Sequence, residues 1–139
     1  MIVGATALAL ATVGGATAGL GVAVSTYVLH EWGHWLGAAA TGSQLSASRS
    51  WWSLSLFAFD SSNSPGQFAA MSLAGFAVTG LAVVLVWFAL PEGQVLTTYA
   101  RWGVGLLATL TAAIEVPLFL YGMARRRTPA AVGITLPRR

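Results

Sequence analysis

Residues 2–40 form one almost unbroken apolar run, interrupted by strongly polar side chains only at His30, Glu31 and His34. In hydrocarbon every backbone N–H and C=O must be satisfied within the segment, so such a run has to be helical. At 1.5 Å per residue it would extend roughly 58 Å, against a hydrocarbon core of about 30 Å. It is therefore either one long helix, tilted or kinked and overhanging the bilayer, or two segments. Gly14, Gly15, Gly19 and Gly21 mark a break or a close helix contact. No polar turn divides the run, which favours one spanning helix over 2–40.

Two further apolar blocks follow. The second, 68–90, stops at Pro91-Glu92-Gly93; the third, about 99–123, stops at Arg125-Arg126-Arg127. Composition agrees, because 8% of the 139 residues are charged and 56% are hydrophobic, whereas soluble domains carry about 25% charged residues. The expected fold class is an all-α integral membrane protein with three transmembrane helices, or four if the first block divides. One transmembrane domain covers 1–124, and 125–139 is a basic tail. Ala16-Thr17-Ala18 looks like a signal-peptidase site, but no basic residue precedes the apolar run, so a cleaved signal peptide is not expected.

Between the first two blocks, residues 41–67 change character. Ser, Gly and Asn become frequent, and Trp51-Trp52 is followed by Leu54, Leu56, Phe57 and Phe59. This weak alternation, closed by Ser61-Ser62-Asn63-Ser64-Pro65-Gly66, suits a short β-hairpin-like or re-entrant flap, or an interfacial loop with an aromatic belt.

All seven basic residues are arginines, and five lie in the last fifteen positions. That tail is a topology signal or a headgroup contact, not a nucleic-acid footprint. Arg49 and the tail share a side in a three-span topology. The positive-inside rule then puts that side, with the C-terminus, in the cytoplasm and the N-terminus outside. The expected location is the plasma (inner) membrane. Cysteine is absent, which excludes disulfides and thiolate metal sites.

His30-Glu31-Trp32-Gly33-His34 carries the chemistry. Histidines four apart lie on one helix face, so both imidazoles can reach one metal ion. The intervening glutamate can act as general base on a metal-activated water. Ionisable groups at membrane depth are functional by default. A catalytic zinc takes three protein ligands and one open position. Glu115 is the one acidic residue deep in a later apolar block, which makes it the candidate third ligand; its bland alternatives are a neutral carboxyl, a cap before Pro117, or a partner for Arg101. Asp60 is the runner-up, with an ordinary turn role as its alternative. Gly33 and Gly37 suit close helix packing. Trp32, Trp35, Trp51 and Trp52 read as packing and interfacial anchors.

The stretch Leu29-His30-Glu31-Trp32-Gly33-His34-Trp35-Leu36-Gly37-Ala38-Ala39 resembles the first core helix of the site-2 protease family of intramembrane zinc metalloproteases. Gly42, the flap-like region 45–60, Ser64-Pro65 and Ser72-Leu73-Ala74-Gly75-Phe76 are similar in position to that family's glycine turn, membrane-associated hairpin, Ser-Pro stretch and Ala-Gly-Pro signature. Phe76 replaces the signature's proline, and Tyr121 stands where the family's third ligand, an aspartate, belongs. The resemblance implies Zn2+, a membrane-embedded protein or peptide substrate, and hydrolysis of a transmembrane or juxtamembrane peptide bond with Glu31 as base. Two other readings compete: a non-proteolytic subunit on the same fold that binds partner membrane subunits, and a metal or proton conduit through His30, Glu31, His34 and Glu115.

Overall fold

The computed structural model describes residues 2–47, 57–60 and 62–125. Three helices in it are long and apolar enough to cross a membrane. Helix α1 runs Ile2–Ala40 without a break, so the first block is one helix and not two. It ends where Ser43 N–H reaches back to the Ala38 carbonyl at 2.9 Å and Gly42 takes φ 64°. Only glycine adopts that left-handed conformation without a Cβ penalty.

Helix α2, Pro65–Phe88, begins three residues earlier than its apolar block. Ser64 is its N-cap, Pro65 opens the first turn and Gln67 completes a capping box with Ser64. The Ser-Pro-Gly loop signal was thus a helix start, because proline lacks the N–H that a first turn leaves unpaired anyway. The block's last residues, Ala89 and Leu90, fall outside the helix.

The third block is likewise longer than expected. Helix α3 (Val95–Leu110) passes through a π-turn (Thr111–Glu115) into helix α4 (Val116–Arg125), giving one apolar rod from Val95 to Arg125. Thr97 and Thr98 do not delay its start, since their hydroxyls donate to the Pro91 and Gln94 carbonyls. Within the π-turn the Val116 N–H reaches the Thr111 carbonyl. Pro117, just beyond, has no N–H for the ordinary ladder, and the wider turn absorbs that loss.

Small residues let the rods meet. A Cβ on Gly19 would lie 2.6 Å from Tyr99 Cβ, and one on Gly15 2.9 Å from Val95 Cβ, so these two glycines are close contacts with α3. Gly14 and Gly21 face open space and break nothing. Gly33 and Gly37 do the same work against α2, where added Cβ atoms would meet the Ala74 carbonyl at 3.0 Å and the Ala70 carbonyl at 2.5 Å. Close backbone approach of this kind holds apolar helices together where lipid removes the hydrophobic drive.

Two three-residue strands, β1 (Leu45–Ala47) and β2 (Phe57–Phe59), pair antiparallel with Leu45 opposite Phe59. Residues 48–56, including Trp51, Trp52 and the Leu54-Ser55-Leu56 alternation, lie outside the described residues. Buried Asn63 fastens the pair to the bundle: Gln44 N–H donates to its Oδ1 at 2.7 Å, and its Nδ2 donates to the Gln44 and Asp60 carbonyls at 2.9 Å. Trp32 of α1 packs edge-on against Phe57.

Candidate metal centre

His30 and His34 project from one face of α1 onto α2. The supports on α2 are spaced to match them. Met71, Gly75 and Thr79 recur every fourth residue and so form one row. His34 Nδ1–H donates to the Met71 carbonyl at 3.0 Å. His30 Nδ1 lies 3.1 Å from the Gly75 carbonyl and 2.7 Å from Thr79 Oγ1. A carbonyl can only accept, so in each ring a proton belongs on Nδ1, and in the neutral ring the lone pair is on Nε2. Gly75 must be glycine here, because a Cβ would fall 2.5 Å from Nδ1 and 2.6 Å from Nε2 of His34, inside the space the imidazole fills.

The two Nε2 atoms then face each other at 3.0 Å. Glu115, at the end of the π-turn, closes the group: Oε1 lies 3.2 Å from His30 Nε2 and Oε2 3.4 Å from His34 Nε2. Oε2 is buried and accepts no hydrogen bond. One ligand atom from each of His30, His34 and Glu115 lies within 4.8 Å of the others.

With both rings neutral, three acceptors converge with no donor between them. Each buried acceptor left unsatisfied costs about 1–3 kcal/mol, so the arrangement calls for positive charge at its centre. One proton could bridge two of the three atoms; a metal ion serves all three. Two ligands on a tetrahedral ion with bonds of about 2.0–2.1 Å stand about 3.3 Å apart, close to the separations seen. The donor set therefore fits a small divalent cation.

Glu31 is 3% exposed and His30 1%. Tyr27, one turn before Glu31, lies within electrostatic range of both Glu31 and Glu115. Glu115 does not pair with Arg101. That guanidinium is occupied at the other end of the bundle, where it donates to the Val86 and Trp87 carbonyls and pairs with Glu92 at 3.6 Å. Asp60 is outside the cluster. Its Oδ1 accepts the Ser62 N–H at 2.7 Å, and that bond holds its carboxyl below the usual carboxylate range; it is a turn residue. Tyr121 is 58% exposed and lies against Arg125, away from the cluster. Phe76 packs edge-on to His34 and to Phe119 of α4.

Of the residues singled out in the sequence, the structure brings His30, His34 and Glu115 together; the Met71–Gly75–Thr79 row was missed. Its one visible signal is Thr79, a polar residue four positions after Gly75 in an apolar block. No family model, curated protein or solved structure matches the chain.

Proposed function

We propose that this protein is an intramembrane zinc metalloprotease that hydrolyses a transmembrane or juxtamembrane peptide bond. The observation that carries the reading is the convergence of two Nε2 lone pairs and the Glu115 carboxylate on one point, with Glu31 next to the first histidine. His30, His34 and Glu115 would hold the ion. Bound there, zinc would supply Lewis acidity to a scissile carbonyl and to a water. Glu31 would act as the general base, taking a proton from the attacking water and returning it to the departing amine. The likeness of residues 29–39 to the site-2 protease core helix supports the same assignment.

A transmembrane substrate must give up its helical hydrogen bonds before its backbone can be attacked. The β1–β2 pair, tied to the bundle by Asn63, offers a strand edge on which an extended segment could be held. The arginine distribution supports a cytoplasmic C-terminus and a plasma (inner) membrane location.

One feature favours a second reading. Tyr121 stands where the resembled family carries its aspartate, which suits a non-proteolytic subunit with a structural metal or none. Elemental analysis of the purified full chain separates the two. The protease reading expects about one zinc per chain, as a single two-histidine site dictates, lost in His30→Ala and His34→Ala. Glu31→Gln should keep the metal and lose cleavage of a transmembrane peptide. Equal zinc in wild type and both histidine variants would remove the site. Zinc retained without cleavage by wild type would leave the subunit.

A further inference from the structure

Thr111 opens the π-turn that Glu115 closes. Its side chain is 6% exposed, and its Oγ1 is buried with no hydrogen-bond partner among the described residues. Other threonines in these helices behave differently. Thr12, Thr17, Thr26 and Thr109 each donate to the carbonyl four residues back at 2.8–2.9 Å. The Leu107 carbonyl, four residues before Thr111, already takes the Thr111 backbone N–H, and the hydroxyl does not join it. Among the described residues, the other buried side-chain atom without a hydrogen-bond partner is Glu115 Oε2, at the far end of the same turn, whose ionic neighbour is His34 Nε2 at 3.4 Å. Buried polar atoms are rarely left unsatisfied, and two on one turn point to a shared partner.

We propose that Thr111 is a positioning residue for Glu115: its hydroxyl holds the carboxylate toward the two histidines through one buried water. The inference rests on the metal reading of the His30–His34–Glu115 cluster. Residues four apart share a helix face with Cβ atoms about 5–6 Å apart. No direct bond joins the Thr111 hydroxyl to Oε2, and side chains at that spacing are within reach of one bridging water. Thr111 donates its O–H to the water, and the water donates to Oε2. Both carboxylate oxygens then keep their approach to His30 and His34. Metal-ligating carboxylates are ordinarily fixed by such outer partners, and their loss weakens the site. Thr111 and Glu115 bracket the π-turn, which places this support on the ligand's own rod.

The test is zinc competition against a chromophoric chelator, on the full chain in detergent, with Thr111→Val and Thr111→Ser. Valine removes the hydroxyl at nearly constant volume; serine keeps it. Thr111→Val should raise the zinc Kd about 10–100-fold and shift the Glu115 carboxylate stretch in zinc-minus-apo infrared spectra. Thr111→Ser should restore both. If Thr111→Val loses its helical circular dichroism, Thr111→Ala takes its place with the same expected loss. A Thr111→Val protein with wild-type zinc affinity and an unchanged or higher Tm would overturn the inference and leave the metal site standing, because deleting a lone orphan hydroxyl is neutral or stabilising. A wild-type chain that binds no zinc would overturn both.

Discussion

Replacing Gly75 with alanine perturbs the candidate centre by one methyl group. The added Cβ would sit 2.5 Å from Nδ1 and 2.6 Å from Nε2 of His34. Carbon contacts settle at about 3.5–4.0 Å, so the ring must retreat by about 1 Å or more. It cannot do so freely, because Nδ1 is tied to the Met71 carbonyl at 3.0 Å and Nε2 faces His30 and Glu115. Loss of an outer hydrogen bond alone costs about 10–100-fold in metal affinity, and displacing the ligand itself should exceed that. Overpacking should also cost about 1–3 kcal/mol of stability. The assay is zinc affinity by chelator competition, with helical content measured alongside. Gly80→Ala, where nothing lies within 4 Å, is the control and should match wild type. A double-mutant cycle on thermal stability adds a second check: on a His34→Ala background, where the ring that the new Cβ would strike is gone, Gly75→Ala should cost little or no further stability. Wild-type zinc affinity in Gly75→Ala would refute the packing of His34 against α2, and with it the geometry of the site.

Thr79→Val removes the hydroxyl 2.7 Å from His30 Nδ1 but leaves the Gly75 carbonyl in place. Zinc affinity should fall by about tenfold and recover in Thr79→Ser; an unchanged Kd would assign His30's orientation to the carbonyl alone. Topology gives a separate prediction. Accessibility labels at Ser48 and Thr128 should report the same, cytoplasmic side, with Ile2 opposite. A label at Ile2 reached from the cytoplasm would contradict one continuous span over α1.

Much of the fold was legible because the bilayer permits few structures. Three apolar blocks and the absence of a polar turn in the first gave three helices and their order. The boundaries were less legible. Ser64-Pro65-Gly66-Gln67 has loop composition, yet its order is that of a capped helix start. At the site, spacing alone put His30 and His34 on one face, and the cost of a buried charge singled out Glu115. Their supports were hidden for a physical reason. The Met71 and Gly75 groups that orient the imidazoles are backbone carbonyls, which every residue has and no side-chain pattern reveals. The π-turn was hidden too, since Pro117 announces a disturbed ladder without saying which way the helix gives.

That turn explains how a glutamate enters the cluster. Helix α4 leans on α2, with Phe119 stacked near Phe68 and Phe76, while α3 packs along α1 through Gly103 and Ala23. One regular rod would have to satisfy both contacts with the same 3.6-residue phase. An i→i+5 turn inserts extra rotation between the two halves, so each keeps its own packing face. Glu115 sits at the junction, where its side chain reaches both Nε2 atoms. Tyr121, six residues on, belongs to the phase set by α4 and is turned outward. The place of the carboxylate in the cluster therefore follows from where the third rod changes phase. A variant that restores a regular helix there would move Glu115 out of the cluster without altering any ligand.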